Sequence, residues 1–176
     1  MTFSNPAGDA KAAAQGYTRA LLELLGDRDP LAVMAELIPW VDQRVRGLDD
    51  ARLRRPEKPG KWSVLEVLQH LADTELVYGY RMRMILTNDT PPIPGYDQDV
   101  WAREFHYREL PLAETLAQLG ALRTANLRLY RSLGPDQRKR AGLHSERGPE
   151  SVDHILRMTG AHDLVHRRQI ERILAT

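Results

Sequence analysis

The sequence predicts an all-α protein, a four-helix bundle with one long crossover between its second and third bundle helices. Three observations carry this. Apolar residues recur at helical spacing nearly throughout the chain. Four of the amphipathic stretches are long enough to serve as bundle helices, and the breaker-rich segments fall between them, the longest running from Thr87 to Leu110. At 176 residues the chain is also long enough to bury a core without disulfide or metal staples.

Taken in order, residues up to about Asp9 read as a loose tail, and Ala10 to Leu25 as a helix ended by Gly26 and the Asp29-Pro30 pair. Residues 1–30 are therefore expected to be tail and accessory helix, and 31–176 the bundle domain. From Leu31 to about Leu48 a stripe of Leu31, Met34, Leu37, Ile38, Val41 and Val45 predicts the first bundle helix, with Pro39 expected to kink or split it. Asp49 to Lys58 is a charged connection. The second bundle helix has the clearest start: Ser63 is placed to cap it, Glu66 to reach back, and Trp62 to pack on Val67. It should run to about Leu86, before the NDTPPIPG loop.

The crossover carries Tyr96, Trp101, Phe105 and Tyr107, aromatics suited to covering one end of the bundle, with a short helix near Gln98 to Phe105. Pro111 suits a first helical position, and Leu112, Leu116, Leu119, Leu122, Leu129 and Leu133 form the seam of the third helix, stopped by Gly134-Pro135. Asn126 faces that core, either toward a cavity or as a register-fixing residue. Pro135 to Pro149 is the last connection, and about Glu150 to Leu174 the fourth helix.

Charge and composition exclude several classes. The net charge is +1, with 25 basic and 24 acidic residues intermixed, so no footprint for nucleic acid emerges. No cysteine is present, which removes disulfide frameworks, thiolate zinc sites and cysteine nucleophiles, and leaves histidine and carboxylate as ligands. The first residues lack a basic start followed by an apolar run, and no segment approaches a membrane span, so a cytoplasmic protein is expected.

The fourth helix holds the chemistry. Its seam reads Val152, Ile155, Thr159, His162, His166, Gln169, Ile173, apolar at its ends and polar in its middle. Burying four unpartnered polar groups costs at least a few kcal/mol, so the window needs a reason. His162 and His166, four apart, share one helix face and can converge on one ion. Equally, such a pair is often a set of surface or hydrogen-bonded core histidines. On the second helix the seam Ser63, Val67, His70, Thr74, Val77 breaks at His70, which is a candidate third ligand or a lone core histidine bonded to a carbonyl. His106, His144 and His154 have no helical partner at ligand spacing and are read as non-ligands. Asp73 and Glu146 are candidates to orient a ligating imidazole, against the plainer reading of exposed charge. Thr159 and Gln169 flank the pair and are expected to line the pocket.

Four stretches, KWSVLEVLQHLADTE, PPIPGYDQDVWA, HSERG and GAHDLVHRRQI, together resemble the DinB-like superfamily of helical bundles, whose pattern pairs a histidine early in the second helix with HxxxH in the fourth. They cover most of Trp62 to Ile173. The proline-rich loop followed by YDQDVW is most similar to the branch of metal-dependent hydrolases that includes bacillithiol S-transferases. The resemblance implies a divalent metal held by His70, His162 and His166, and a homodimer. The chain departs from that branch at Met158-Thr159-Gly160, where Trp-His-Gly is typical, and at Asp163, where a histidine is common.

Three histidines leave coordination positions open, as in catalytic sites. The preferred reading is transfer of a low-molecular-weight thiol to an electrophilic small molecule, the metal favouring the thiolate. Metal-assisted hydrolysis by an activated water is the alternative, and a non-enzymatic bundle that binds a metal or stress ligand is the third. Histidine ligands suit zinc or nickel, and iron as well. The partners expected are a small-molecule substrate and a second copy of the chain, with neither nucleic acid nor membrane.

Overall fold

The computed structural model describes residues 10–176, with side chains from residue 16 onward. The tail expected before Ala10 lies outside the described residues. Helix α1 (Ala10–Leu25) leads to α2 (Pro30–Val45), whose cap Asp29 accepts the Leu31 N–H at 2.9 Å. Pro39 does not split α2. Leu37 and Val41 on either side of it are buried, and that packing carries the helix across the missing donor.

The charged connection folds a short helix, α3 (Asp50–Arg54), from which Arg52 donates to the carbonyls of Ile173 and Leu174 at 3.1 and 2.7 Å, satisfying orphan acceptors at the end of the last helix. Helix α4 (Val64–Thr87) starts as its sequence dictates. Ser63 Oγ accepts the Glu66 N–H at 3.4 Å, the Glu66 carboxylate accepts the Ser63 N–H at 2.7 Å, and Trp62 packs on the cluster that contains Val67. The crossover holds β1 (Pro92–Ile93), α5 (Gln98–Glu104) and one 3₁₀ turn at Tyr107–Glu109. Helix α6 (Leu112–Arg131) begins one residue later than expected, with Pro111 at its N-cap position.

The last connection is more ordered than a loop. It comprises α7 (Pro135–Lys139), β2 (Ala141–His144) and β3 (Gly148–Ser151), so that Glu150 lies in a strand and α8 spans Val152–Leu174, capped by Ser151. β2 pairs antiparallel with β3 and parallel with β1, which ties the crossover to the segment before α8. The four-helix bundle stands as the sequence predicts, with this small sheet added to it.

Around the bundle α4 lies between α6 and α8, and α2 packs against both of them in turn. Gln69 meets Thr115 and Asn126 meets Glu75, so α4 and α6 run parallel. Parallel neighbours need a return path as long as the helix itself, and α4's 24 residues span about 36 Å at 1.5 Å per residue. The long crossover is therefore a geometric necessity. The core divides into a cluster centred on Leu37, Val41, Leu68, Leu71 and Ile170, and another centred on Met34, Met82, Ile85, Tyr130 and Leu156. The polar window lies on the face of α4 and α8 between them. Helix α1 packs on the outside through Leu21 and Leu25 against Val33, Met158 and Ala161. No helix among the described residues is long and apolar enough to cross a membrane.

Candidate metal centre

Because α4 and α8 are antiparallel neighbours, the second turn of one faces the later half of the other, and this brings His70, His162 and His166 together. The Nε2 atoms of His70 and His162 are 3.2 Å apart, and those of His166 and His162 3.1 Å. Metal–nitrogen bonds of about 2.0–2.1 Å at tetrahedral angles put ligand nitrogens about 3.3–3.4 Å apart, so these two pairs are near ligand separation, and all three ligand atoms lie within 4.8 Å of one another. They are the one group of histidines and carboxylates among the described residues that converges in this way.

All three imidazoles are neutral at pH 7, the form in which histidine binds a metal. Burial, followed by the two neighbouring imidazoles, holds His70 well below its ordinary value. Burial and then the Arg123 charge push His162 down to about 4. His166 is pushed to about 3 by burial and His162, against the pull of its Gln169 hydrogen bond. Gln169 Oε1 faces His166 Nδ1 at 2.7 Å; accepting the proton there leaves the Nε2 lone pair pointing into the triangle. The Nδ1 atoms of His70 and His162 are buried without a protein partner, and the Trp62 ring lies 5.0 Å from the ring of His70. The residues fit a divalent cation, since three neutral imidazoles from two helices gather their Nε2 atoms around one point and, as Nδ1–H tautomers, would each present a lone pair to it. His70 is 1% exposed whereas His162 and His166 keep 8% and 7%, so what little of the site reaches the surface belongs to α8.

Neither carboxylate expected to orient a ligand does so. Asp73 accepts from the Tyr107 hydroxyl, from Gln69 Nε2 at 3.3 Å and from Gln118 Nε2 at 3.1 Å, and so fastens the crossover to α4 and α6. Glu146 is exposed in the hairpin turn. A glutamine takes the orienting role instead, at a position read only as pocket lining. Thr159 turns its hydroxyl onto the Ile155 carbonyl at 2.8 Å. Asn126 spends its amide on Glu75 and Arg83 rather than on a cavity. His144 stays outside the triad, where its Nδ1 accepts the Glu146 N–H at 3.1 Å and holds the turn.

Beside the triad lies a buried ionic network that sequence reasoning missed. Arg123 grips Asp163 through two bonds of 2.5 and 2.9 Å, meets Glu75 at 3.0 Å and donates to the Met34 carbonyl at 2.8 Å, joining all four bundle helices. Burial works against the Arg123 charge, yet Asp163 and Glu75 hold the guanidinium above its ordinary value. Burial raises the Glu75 carboxyl against the opposing effect of Arg123. The signal was present: Leu119, Arg123, Asn126 and Tyr130 follow alternating steps of four and three, which places the arginine on the core face of α6. Asp163, a departure from the resembling branch, is thus the α8 anchor of this network.

Fold and site together define a helical bundle with a three-histidine centre built between two of its helices. The DinB superfamily pattern matches residues 41–170. The chain belongs to that family. It is 31% identical over 122 residues to "Putative metal-dependent hydrolase OB0782" of Oceanobacillus iheyensis, covering 68% of this chain and 70% of that one. It is 30% identical over 116 residues to "Putative metal-dependent hydrolase YfiT" of Bacillus subtilis, covering 66% and 65%. The solved structure of YfiT, described as a probable metal-dependent hydrolase with an unusual four-helix bundle topology, superposes with a TM-score of 0.76 at 27% identity over 82% of this chain and 83% of that one.

Proposed function

We propose that this protein is a metal-dependent enzyme that transfers a low-molecular-weight thiol to an electrophilic small molecule, with His70, His162 and His166 holding a divalent cation. The cation would supply positive charge that keeps a sulfur or oxygen nucleophile deprotonated at neutral pH. The observation favouring sulfur is that the buried acids among the described residues, Asp73, Glu75, Glu150 and Asp163, are all committed elsewhere. Asp73 is held by Tyr107 and two glutamines, Glu75 and Asp163 by Arg123, and Glu150 by Arg147. Hydrolysis of an ester or amide also calls for an acid to protonate the leaving group, a role none of these committed carboxylates is free to take, whereas a thiol of pKa about 8.5 ionises with little help. The absence of cysteine fits the same reading, since no internal thiol competes for the ion.

Gln169 fixes the His166 tautomer, and Trp62 closes one side of His70 with an apolar ring. Metal-assisted hydrolysis is the second reading, favoured by the names its relatives carry. The exposed Leu76 and Tyr80, one turn apart on α4, support a homodimer as the assembly.

The test begins with elemental analysis of untagged, chelator-free protein, wild type against His70→Ala. Near-stoichiometric metal that vanishes in the variant is expected, followed by thiol-dependent consumption of monobromobimane with bacillithiol or cysteine. Ester turnover without thiol would select hydrolysis. Wild type that stays empty after incubation with zinc, nickel and iron would remove both enzyme readings, and metal without turnover in either assay would leave a binding protein.

A further inference from the structure

Three turns along α4 from His70, eleven residues and about 16 Å at 1.5 Å per residue, the same helix face carries Arg81. Its side chain is 4% exposed, and among the described residues no carboxylate forms an ion pair with it. Of the five donors on a guanidinium, the described residues engage Nη2 alone, through the Pro94 carbonyl. The rings of Tyr78 and Tyr96, with centroids 5.4 and 5.9 Å from its central carbon, offer partial compensation. The other buried arginine among the described residues, Arg123, is by contrast paired with carboxylates. Arg123 has two carboxylates, and the one carboxylate near Arg81, that of Glu150, is spent on Arg147 in bonds of 2.5 and 3.0 Å.

Glu150 is spent on Arg147, which Glu146 also faces, while Arg81 has no carboxylate bonded to it among the described residues and its free donors reach solvent. Burying a cation without a counterion is costly, and proteins retain such an arrangement where a ligand completes it. Arg147 and Glu150, beside Arg81, also line a cavity of about 520 Å³ with Arg19, Leu22, Glu23 and His154. The Tyr96 ring that lies beside Arg81 places its hydroxyl 3.3 Å from Thr74 Oγ1, one turn from His70, so a single crossover residue touches both the arginine and the turn that follows the triad ligand.

We propose that Arg81, with Arg147 beside it, is an oxyanion-binding subsite, and that the small molecule handled at the histidine triad carries a carboxylate or phosphate that docks there. The second half of this statement rests on the function proposed above; the subsite itself does not. Arg81 is the residue that touches the anion, its free fork matching two oxygens at once.

The test is a thermal-shift and calorimetric titration of the full chain with succinate and, separately, inorganic phosphate, each against sodium chloride of equal ionic strength. Wild type, Arg81→Gln and Arg81→Lys are compared, each both metal-loaded and after EDTA treatment. Wild type should show a saturable rise in melting temperature with at least one oxyanion beyond chloride, succinate marking a carboxylate site and phosphate a phosphate site. Arg81→Gln should lose that response, keep its metal content, and melt higher than wild type in the absence of anion. Arg81→Lys, which keeps the charge and loses the fork, should bind at least tenfold more weakly, and serves if the glutamine variant fails to fold. No anion response in wild type, or an equal response in the variants, overturns the subsite. A fall in melting temperature for Arg81→Gln, with wild type unresponsive, would make the guanidinium a packing device. Because EDTA-treated protein is titrated in parallel, a triad that never holds metal leaves the anion result readable and removes only the link to substrate.

Discussion

Gln169 Oε1 lies 2.7 Å from Nδ1 of His166, one turn along α8, and is the single side chain among the described residues that holds the Nδ1 of a triad imidazole. Outer partners of this kind hold ring orientation and tune ligand basicity. Gln169→Leu is therefore expected to weaken zinc or nickel affinity by about 10–100-fold while leaving far-UV helicity intact. Competition against a chelating dye measures it. Unchanged affinity would mean that the cation does not use His166 Nε2.

The bidentate contact between Arg123 and Asp163 predicts a large, asymmetric response to mutation. Asp163→Asn leaves a buried guanidinium with only Glu75 as counter-charge, and breaking such a pair costs about 3–5 kcal/mol. In Arg123→Leu with Asp163→Leu the remaining carboxyl of Glu75, already pushed up by burial, is free to take a proton. Urea unfolding should then find the double variant more stable than Asp163→Asn alone. The reverse order would show that the network stabilises through its geometry and not merely by cancelling charge.

Gly79 lets α4 and α6 approach. A Cβ there would stand 2.6 Å from Asn126 Oδ1 and 2.9 Å from its Nδ2, an overlap that displaces the amide from the Glu75 carbonyl and carboxylate. Gly79→Ala should cost about 1–3 kcal/mol from this overpacking, even though alanine gains up to about 1 kcal/mol of helix propensity. Thermal melts are the check. If trimming Asn126 to alanine does not reduce the cost of the Gly79 change, the clash is not its source.

His144 gives the hairpin a pH dependence of definite sign. Burial, then the Arg147 charge, lowers it from 6.5 to about 4, and the neutral ring accepts the turn N–H groups at Nδ1. Between those values the unfolded chain binds the proton and the folded one does not, so stability is full above about pH 6.5 and declines toward pH 4. The slope from this one group is at most about 1.4 kcal/mol per pH unit. His144→Gln, which keeps an acceptor and cannot titrate, should flatten the melting-temperature curve across that window. Parallel curves for the two proteins would assign the acid sensitivity elsewhere.

Local signals carried much of this structure. Ser63 and Glu66 specify the start of α4 within a single turn, the seams follow from side-chain spacing, and the triad is legible because two of its members are four residues apart on one helix. The third, His70, shows only as a polar break in an apolar seam. Its convergence with the pair depends on an antiparallel contact that no local pattern encodes. Arg123 was likewise visible as a core-facing position, but its meaning was not, since its carboxylates come from residues 48 earlier and 40 later in the chain.

The sequence by itself determined the long helices, the cap of α4 and the composition of the polar window, because helical periodicity and capping act over a few residues. Tertiary structure alone decided the rest. Strands of two to four residues, containing Pro92, Gly142, Gly148 and Pro149, have no alternation to read and exist only because the crossover and hairpin pair. The parallel approach of α4 to α6, the commitment of Asp73 to Tyr107, the role of Gln169 and the unpaired charge of Arg81 all arise from contacts between distant segments. Their physical cause is the same: buried polar groups take whatever partner the packing brings within hydrogen-bond distance, and that partner is set by the fold.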